Sequence, residues 1–249
     1  MLAEERLARI MKLLSQQRTA TVQELCEALD ASESTIRRDL NELDRMGKVN
    51  KVHGGATLPD SQFLADEPTM AAKEALAVAQ KKCIAKAAAA LITAEDFVFL
   101  DAGSTTLALA AALEGPALQA AYVTNGIAHA RMLVQKGCRT YLPGGQVRPI
   151  TEAITGPETL AALQHYNFTK AFMGANGVSP AEGFTTPEEA SIKTAALQRA
   201  RERWFLVDNT KFDMVYSAVI GDIGCGAILT NHCPDPRYAQ LTFVKECSV

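Results

Sequence analysis

No run of apolar residues approaches the ~18 that a membrane-spanning helix requires. The longest stretches, such as Ala87 to Ile92, are short and rich in alanine, which excludes a transmembrane chain. The opening residues Met1-Leu2-Ala3-Glu4-Glu5-Arg6 carry acids and lack the apolar core of a secretory signal, so a cytoplasmic location is expected. Cysteine is present six times (Cys26, Cys83, Cys138, Cys225, Cys233, Cys247) but never as a C-x-x-C pair, so free thiols are expected rather than a disulfide framework. Cys225, His232 and Cys233 lack the closely paired spacing of a structural zinc site, and neither a metal nor a cofactor is expected. Charge of one sign is also missing. The formal net charge is −3, so nucleic-acid binding has to rest on local pattern. What is there is an ordinary globular composition: of 249 residues, 48% are hydrophobic and 21% charged, enough for a small domain and a larger one.

Leu7, Ile10, Met11 and Leu14 recur at i, i+3, i+4 and i+7, which predicts an amphipathic helix from about Glu4 to Gln16. Thr21 followed three residues later by Glu24 has capping-box spacing, and Val22, Leu25 and Leu29 supply the buried stripe of a second helix ending near Asp30. Ser32 caps a third helix, which Gly47 ends, with Ile36, Leu40 and Leu43 on one face. Ser34, Arg38, Asn41 and Arg45 lie opposite that stripe, flanked by Thr35 and Arg37. Hydroxyls and guanidinium forks suit phosphate oxygens and the major-groove edge of guanine. Asp39, beside two arginines, is expected to orient Arg37 or Arg38 within the molecule, since phosphate would repel it. From Lys48 to Thr57, Val49 and Val52 alternate with polar residues around Gly54-Gly55, the pattern of a small β-wing carrying Lys51 and His53.

The run Ser32-Glu33-Ser34-Thr35-Ile36-Arg37-Arg38-Asp39-Leu40, followed by His53-Gly54-Gly55-Ala56, resembles the DNA-binding head of the DeoR family of bacterial sugar-metabolism regulators. The resemblance implies that the third helix is a recognition helix, with Ser34, Thr35, Arg37 and Arg38 as DNA contacts and His53 supporting from the wing.

The turn-forming cluster Leu58-Pro59-Asp60-Ser61 marks a boundary, giving a winged helix-turn-helix domain at 1–58, a linker at 59–74 and an α/β domain at 75–249. From Thr69 to Ile92 the helix formers Ala, Lys, Glu and Gln predict a long helix, interrupted or not, with Lys81, Lys82 and Lys86 on a solvated face. Beyond it, strands alternate with loops and helices in the α/β manner, at 97–100, 121–123, 139–142, 171–173, 204–207 and 218–220. In parallel sheets ligands gather at the carboxyl ends of strands. Those ends read Asp101-Ala102-Gly103-Ser104-Thr105-Thr106, Thr124-Asn125-Gly126, Pro143-Gly144-Gly145, Gly174-Ala175-Asn176-Gly177 and Asp208-Asn209-Thr210-Lys211. Together with Glu189 and Lys193 on a helix, such loops would build a polyol-phosphate pocket: phosphate on the Ser/Thr loop before a helix N-terminus, hydroxyls on Asp and Asn, and lysine for charge.

These elements, in this order, resemble the sugar-phosphate-sensing domain of the same family, which is similar in fold to ribose-5-phosphate isomerase. The resemblance implies a repressor of a sugar-utilisation operon, acting on operator DNA as a homodimer or homotetramer. It assigns effector binding to Asp101, Gly103, Ser104, Thr105, Thr106, Thr124, Asn125, Gly144, Gly145, Asn176, Glu189, Lys193 and Lys211. Asn209 departs from the family's usual residue and is expected to leave a pairing of Asp208 with Lys211 intact. The segments Thr151 to Pro157, Tyr166 to Phe168 and Gly183 to Thr186 are most similar to members that govern fructose use, which implies fructose 1-phosphate or a kindred ketose phosphate. A rival reading is a sugar-phosphate isomerase or deaminase in which Asp101, Glu189 and Lys193 do acid–base work. An isomerase, however, gains nothing from a recognition helix followed by a wing.

Overall fold

Thr21 begins the first fully described helix as its sequence requires. Its hydroxyl accepts from the Glu24 N–H at 3.1 Å, and the Glu24 carboxylate accepts from the Thr21 N–H at 2.8 Å. The structure is a computed structural model describing residues 6–7, 9–11, 13–14, 19–45, 49–52, 54–57, 69–188 and 190–247. The chain divides into two units, Met1–Gln62 and Phe63–Val249.

In the first unit the described residues between 6 and 14 are helical. They are followed by β1 (Thr19–Thr21), α1 (Val22–Leu29), α2 (Glu33–Arg45), β2 (Asn50–Val52) and β3 (Gly55–Thr57). The alternation around the glycine pair does form a wing: β2 and β3 are antiparallel, and β1 adds on the far side of β3. Gly55 lies so close to β1 that a Cβ there would stand 2.2 Å from the Ala20 carbonyl oxygen. Ile10, Leu14, Leu25, Ile36, Leu40 and Val49 close the core beneath the helices. His53, Gly47 and linker positions 59–68 lie outside the described residues.

The second unit opens with α3 (Met70–Ala75) and α4 (Val78–Ala89), so the long helix is broken at Leu76 and Ala77. A seven-stranded parallel sheet follows, in the order β15-β14-β12-β9-β4-β5-β6. Its strands are β4 (Phe97–Leu100), β5 (Ala121–Thr124), β6 (Arg139–Tyr141), β9 (Phe168–Gly174), β12 (Ala200–Leu206), β14 (Ala227–Thr230) and β15 (Val244–Glu246). The chain runs outward from β4 to β6, returns beside β4 as β9, and runs outward the other way. β4 and β9 therefore flank the point where strand order reverses.

Helices α4, α5 (Ser104–Ala112) and α6 (Ile127–Gln135) cover one face of the sheet through Ile84, Leu109 and Leu133. Helices α7 (Pro157–Leu163) and α8 (Ala190–Gln198) cover the other through Leu163 and Ile192. A hairpin of β7 (Gln146–Arg148) and β8 (Ala153–Thr155) follows β6, and α9 (Arg237–Leu241) precedes β15.

Two expectations are corrected. The predicted strand at 218–220 forms, as β13 (Ala218–Gly221), but pairs antiparallel with β11 (Gly183–Thr186) in a separate sheet completed by β10 (Gly177–Ser179). Its burial is partial, with Val219 exposed, as suits an edge strand. The parallel sheet is extended instead by β14 and β15. The cysteines are not all free, since Cys83 and Cys247 form a disulfide with Cα atoms 6.1 Å apart. A separation of 164 residues, closed where Cys247 packs against the core cluster that holds α4, leaves no trace in local spacing.

Candidate functional site

Two regions concentrate unspent polar groups. The first is the outer face of α2. Ser34, Arg38, Asn41 and Arg45 project within an arc of ~60° at 100° per residue, while Ile36, Leu40 and Leu43 are buried on the other side. The Ser32 hydroxyl lies 3.0 Å from that of Ser34 and 2.8 Å from that of Thr35, which fixes the hydroxyls of the first turn. Arg37 is held by Glu33 one turn back, at 2.9 and 2.6 Å. Arg38 is exposed with no ion pair among the described residues. Asp39 does act inside the molecule, but not on Arg37 or Arg38. It is buried, and Arg6 of the N-terminal helical stretch grips both its oxygens, at 2.5 and 3.0 Å. Desolvation explains the choice: Asp39 points into the core side of α2, where only a side chain from another element can neutralise it.

The second region is a cavity of about 230 Å³ at the carboxyl ends of β4, β9 and β12. Of the residues expected to bind an effector, it brings together Asp101, Gly103, Ser104, Thr105, Asn176, Lys193 and Lys211. Asp101 and Lys193 form a buried ion pair, and Asp101 Oδ2 also accepts from the Gly174 N–H at 3.1 Å. Asp101 Oδ1 has no partner among the described residues.

Several expected residues lie outside that lining and build its support. The buried Thr106 hydroxyl donates to the Asp101 carbonyl at 2.6 Å and accepts from the Gly103 N–H at 3.0 Å. Asn125 accepts from the Ala102 N–H at 3.1 Å and donates to the Ile154 carbonyl at 3.3 Å. Thr124 accepts from the Gly126 N–H at 3.1 Å. The Gly144 carbonyl accepts from Thr159 at 2.8 Å, and Gly145 packs against Thr159 and Thr155. Glu189 lies outside the described residues.

His129, unnoticed in the sequence, stands behind the same turn. Its Nε2 lies 3.0 Å from the Gly103 carbonyl and 3.1 Å from the Thr106 hydroxyl. A carbonyl only accepts, so Nε2 carries the proton and Nδ1 is left without a partner among the described residues. Burial drives its pKa down to about 4, against the pull of Asp101 and the Gly103 bond, so the imidazole is neutral. Gly126 is required here, because a Cβ would meet His129 Nδ1 at 2.3 Å.

Lys73 and Lys81 also line the cavity. Lys81 is corrected from a solvated face: it is 6% exposed, and its ammonium donates to the Lys73 carbonyl across the helix break. Burial lowers its pKa, Lys211 and Lys73 add to the effect, and Asp208 opposes it. The alanine-rich α4 leaves Lys82 and Lys86 exposed but buries Lys81 on the same side as Ile84, Ala85 and Ala88, and the weak apolar contrast of an alanine-rich helix hid the inward lysine. The expected pairing of Asp208 with Lys211 is also corrected. The Asp208 carboxylate accepts from the Thr210 N–H at 3.0 Å and hydroxyl at 2.5 Å, capping the turn. Lys211 makes no ion pair among the described residues. The cavity thus gathers Lys73, Lys81, Lys193 and Lys211 against Asp101 and Asp208.

A winged helix-turn-helix unit joined to an α/β unit with a cation-rich cavity at the strand switch point defines a DNA-binding regulator with a sensor domain. Residues 6–62 match the DeoR-like helix-turn-helix domain, and residues 76–230 match the DeoR C-terminal sensor domain. The chain belongs to the DeoR family. It is 37% identical to the HTH-type transcriptional regulator FruR of Bacillus subtilis, over 98% of each chain. It is 36% identical to the lactose phosphotransferase system repressor of Streptococcus mutans, over 84% of this chain and 83% of that one. The family matches and these relatives make it a DNA-binding regulator, not an enzyme. Ribose 5-phosphate isomerase A of Methanocaldococcus jannaschii superposes with a TM-score of 0.38 at 17% identity, covering 53% of each chain, too distant a likeness to carry any argument. Among the described residues no helix is long and apolar enough to cross a membrane.

Proposed function

We propose that this protein is a cytoplasmic repressor of a sugar-utilisation operon that reads operator DNA with α2 and the wing. A phosphorylated sugar in the cavity controls it, and fructose 1-phosphate is the first candidate. The observation that carries the effector reading is the excess of lysine in one partly enclosed site. Lys193 is neutralised by Asp101, while Lys81 and Lys211 repel each other, with Asp208 as the one further acid lining the site among the described residues. A phosphate dianion relieves that repulsion, the cavity-lining Ser104 to Thr105 turn at the N-terminus of α5 offers hydrogen bonds, and Asp101 Oδ1 accepts from a sugar hydroxyl. The relatives named as lactose phosphotransferase system repressors support a sugar-linked reading.

Ser34, Thr35, Arg37, Arg38 and His53 are assigned to DNA. The cavity residues are assigned to the effector, with Thr106, Thr124, Asn125, Gly144 and Gly145 holding its walls. Glu189, which precedes Ala190 in the sequence, is assigned to the effector as well. Two heads on a two-fold operator require a homodimer or homotetramer. Control requires that the sugar bind the DNA-competent and incompetent states unequally. The test is a gel shift on the promoter beside the protein's own gene, titrated with pentose and hexose phosphates. A retarded band that responds to a phosphorylated ketose is expected; a band indifferent to every sugar phosphate overturns the effector assignment.

A further inference from the structure

Asn41 and Lys51 meet on the solvent side of the N-terminal unit, one from α2 and the other from wing strand β2. The Lys51 ammonium donates to Asn41 Oδ1 at 2.7 Å. An ammonium has only donors, so the opposite placement of the amide would set its NH₂ group against three N–H bonds; the carboxamide is therefore fixed with oxygen toward lysine and nitrogen away. Lys51 is itself anchored, because its backbone N–H donates to Asp44 Oδ1 at 3.0 Å, holding the start of the wing on the recognition helix. Asn41 shares its narrow arc of helix with Ser34, Arg38 and Arg45, and both it and Lys51 are exposed.

We propose that Asn41 and Lys51 act as one base-reading unit that presents only donors and selects guanine at one position of each operator half-site. An asparagine with a free amide pairs adenine bidentately, accepting from N6 and donating to N7. Here the accepting oxygen already carries an ammonium, and an adenine amino group arriving there meets a cation, donor against donor. Guanine presents two acceptors, O6 and N7, to the same edge, and the Asn41 NH₂ and the remaining Lys51 protons match both. The wing therefore decides which base the helix reads. The inference rests on the reading of α2 and the wing as the DNA-contacting surface.

The test uses the full-length protein and a pool of duplexes randomised within its promoter-proximal binding region, followed by gel shifts on single base-pair variants. The parent is expected to prefer G·C over A·T by about tenfold at one position per half-site. Asn41→Ala is expected to abolish that preference while every other position keeps its own. Lys51→Met, which frees the amide oxygen, is expected to move the same position toward adenine. Unchanged melting temperatures of both variants establish that the fold is intact. Equal weakening on all duplexes by Asn41→Ala, or a base preference unaltered by Lys51→Met, overturns the unit while leaving DNA recognition by the head in place. A parent that selects no sequence overturns both.

Discussion

His129 is neutral because burial strips the charged imidazolium of water, and that has a measurable sign. Its pKa in the folded chain is near 4, below the ordinary 6.5 of the unfolded chain. Between those values the unfolded state binds the proton and the folded state refuses it, so stability is complete above pH 6.5 and falls as pH drops toward 4, by up to ~3 kcal/mol. His129→Gln is expected to flatten that part of the melting-temperature profile relative to the parent; parallel profiles would contradict it. Asp101 and Lys193 differ from Lys211 in the same way that buried pairs differ from open charges. Asp101→Ala strands a buried ammonium and is expected to cost about 3 to 5 kcal/mol in denaturant titration. Lys211→Ala removes a charge that repels Lys81, so it should leave stability equal or slightly raised, and it should abolish the response of DNA binding to sugar phosphate. Arg38→Ala should weaken operator binding, leave sugar-phosphate binding intact, and lower the slope of log affinity against log salt by about one.

Helix ends carry two more predictions at the scale of the element. Thr21 satisfies an orphan N–H of α1, so Thr21→Ala is expected to lower the stability of the N-terminal unit by about 1 kcal/mol, read from its thermal transition. Ala77 sits at the break between α3 and α4 with φ +51°, a left-handed conformation that costs a residue bearing Cβ. Ala77→Gly relieves that cost and is expected to raise the melting temperature slightly despite the extra freedom of the unfolded chain. Elements were largely legible from sequence because their signals are local. The Thr21 box, the Ser32 cap, the apolar stripe of α2 and the strands beginning at Phe97 and Ala121 all follow from periods of 3.6 or 2 and from caps. β14 and β15 were missed. Their apolar runs are short, and they become strands only because β12 offers an open edge.

At the scale of the whole molecule, the position of the cavity follows from one topological fact, the reversal of strand order between β4 and β9, which leaves a crevice at their carboxyl ends. A sugar phosphate held there at ~100 times its dissociation constant adds about 2.7 kcal/mol to stability. A thermal-shift screen with phosphorylated sugars is expected to show that rise for the true effector and none for the unphosphorylated sugar. The sequence by itself determined the winged head, the α/β class and the polar loops that end the strands, because caps, turns and hydrophobic periods act over a few residues. Only the tertiary structure decided that Asp39 belongs to Arg6, that Asp101 belongs to Lys193 across 92 residues, and that Lys81 turns inward beside Lys211. A charge leaving water must find its counterpart wherever the packed layers bring one, and strand order rather than sequence distance sets which groups meet.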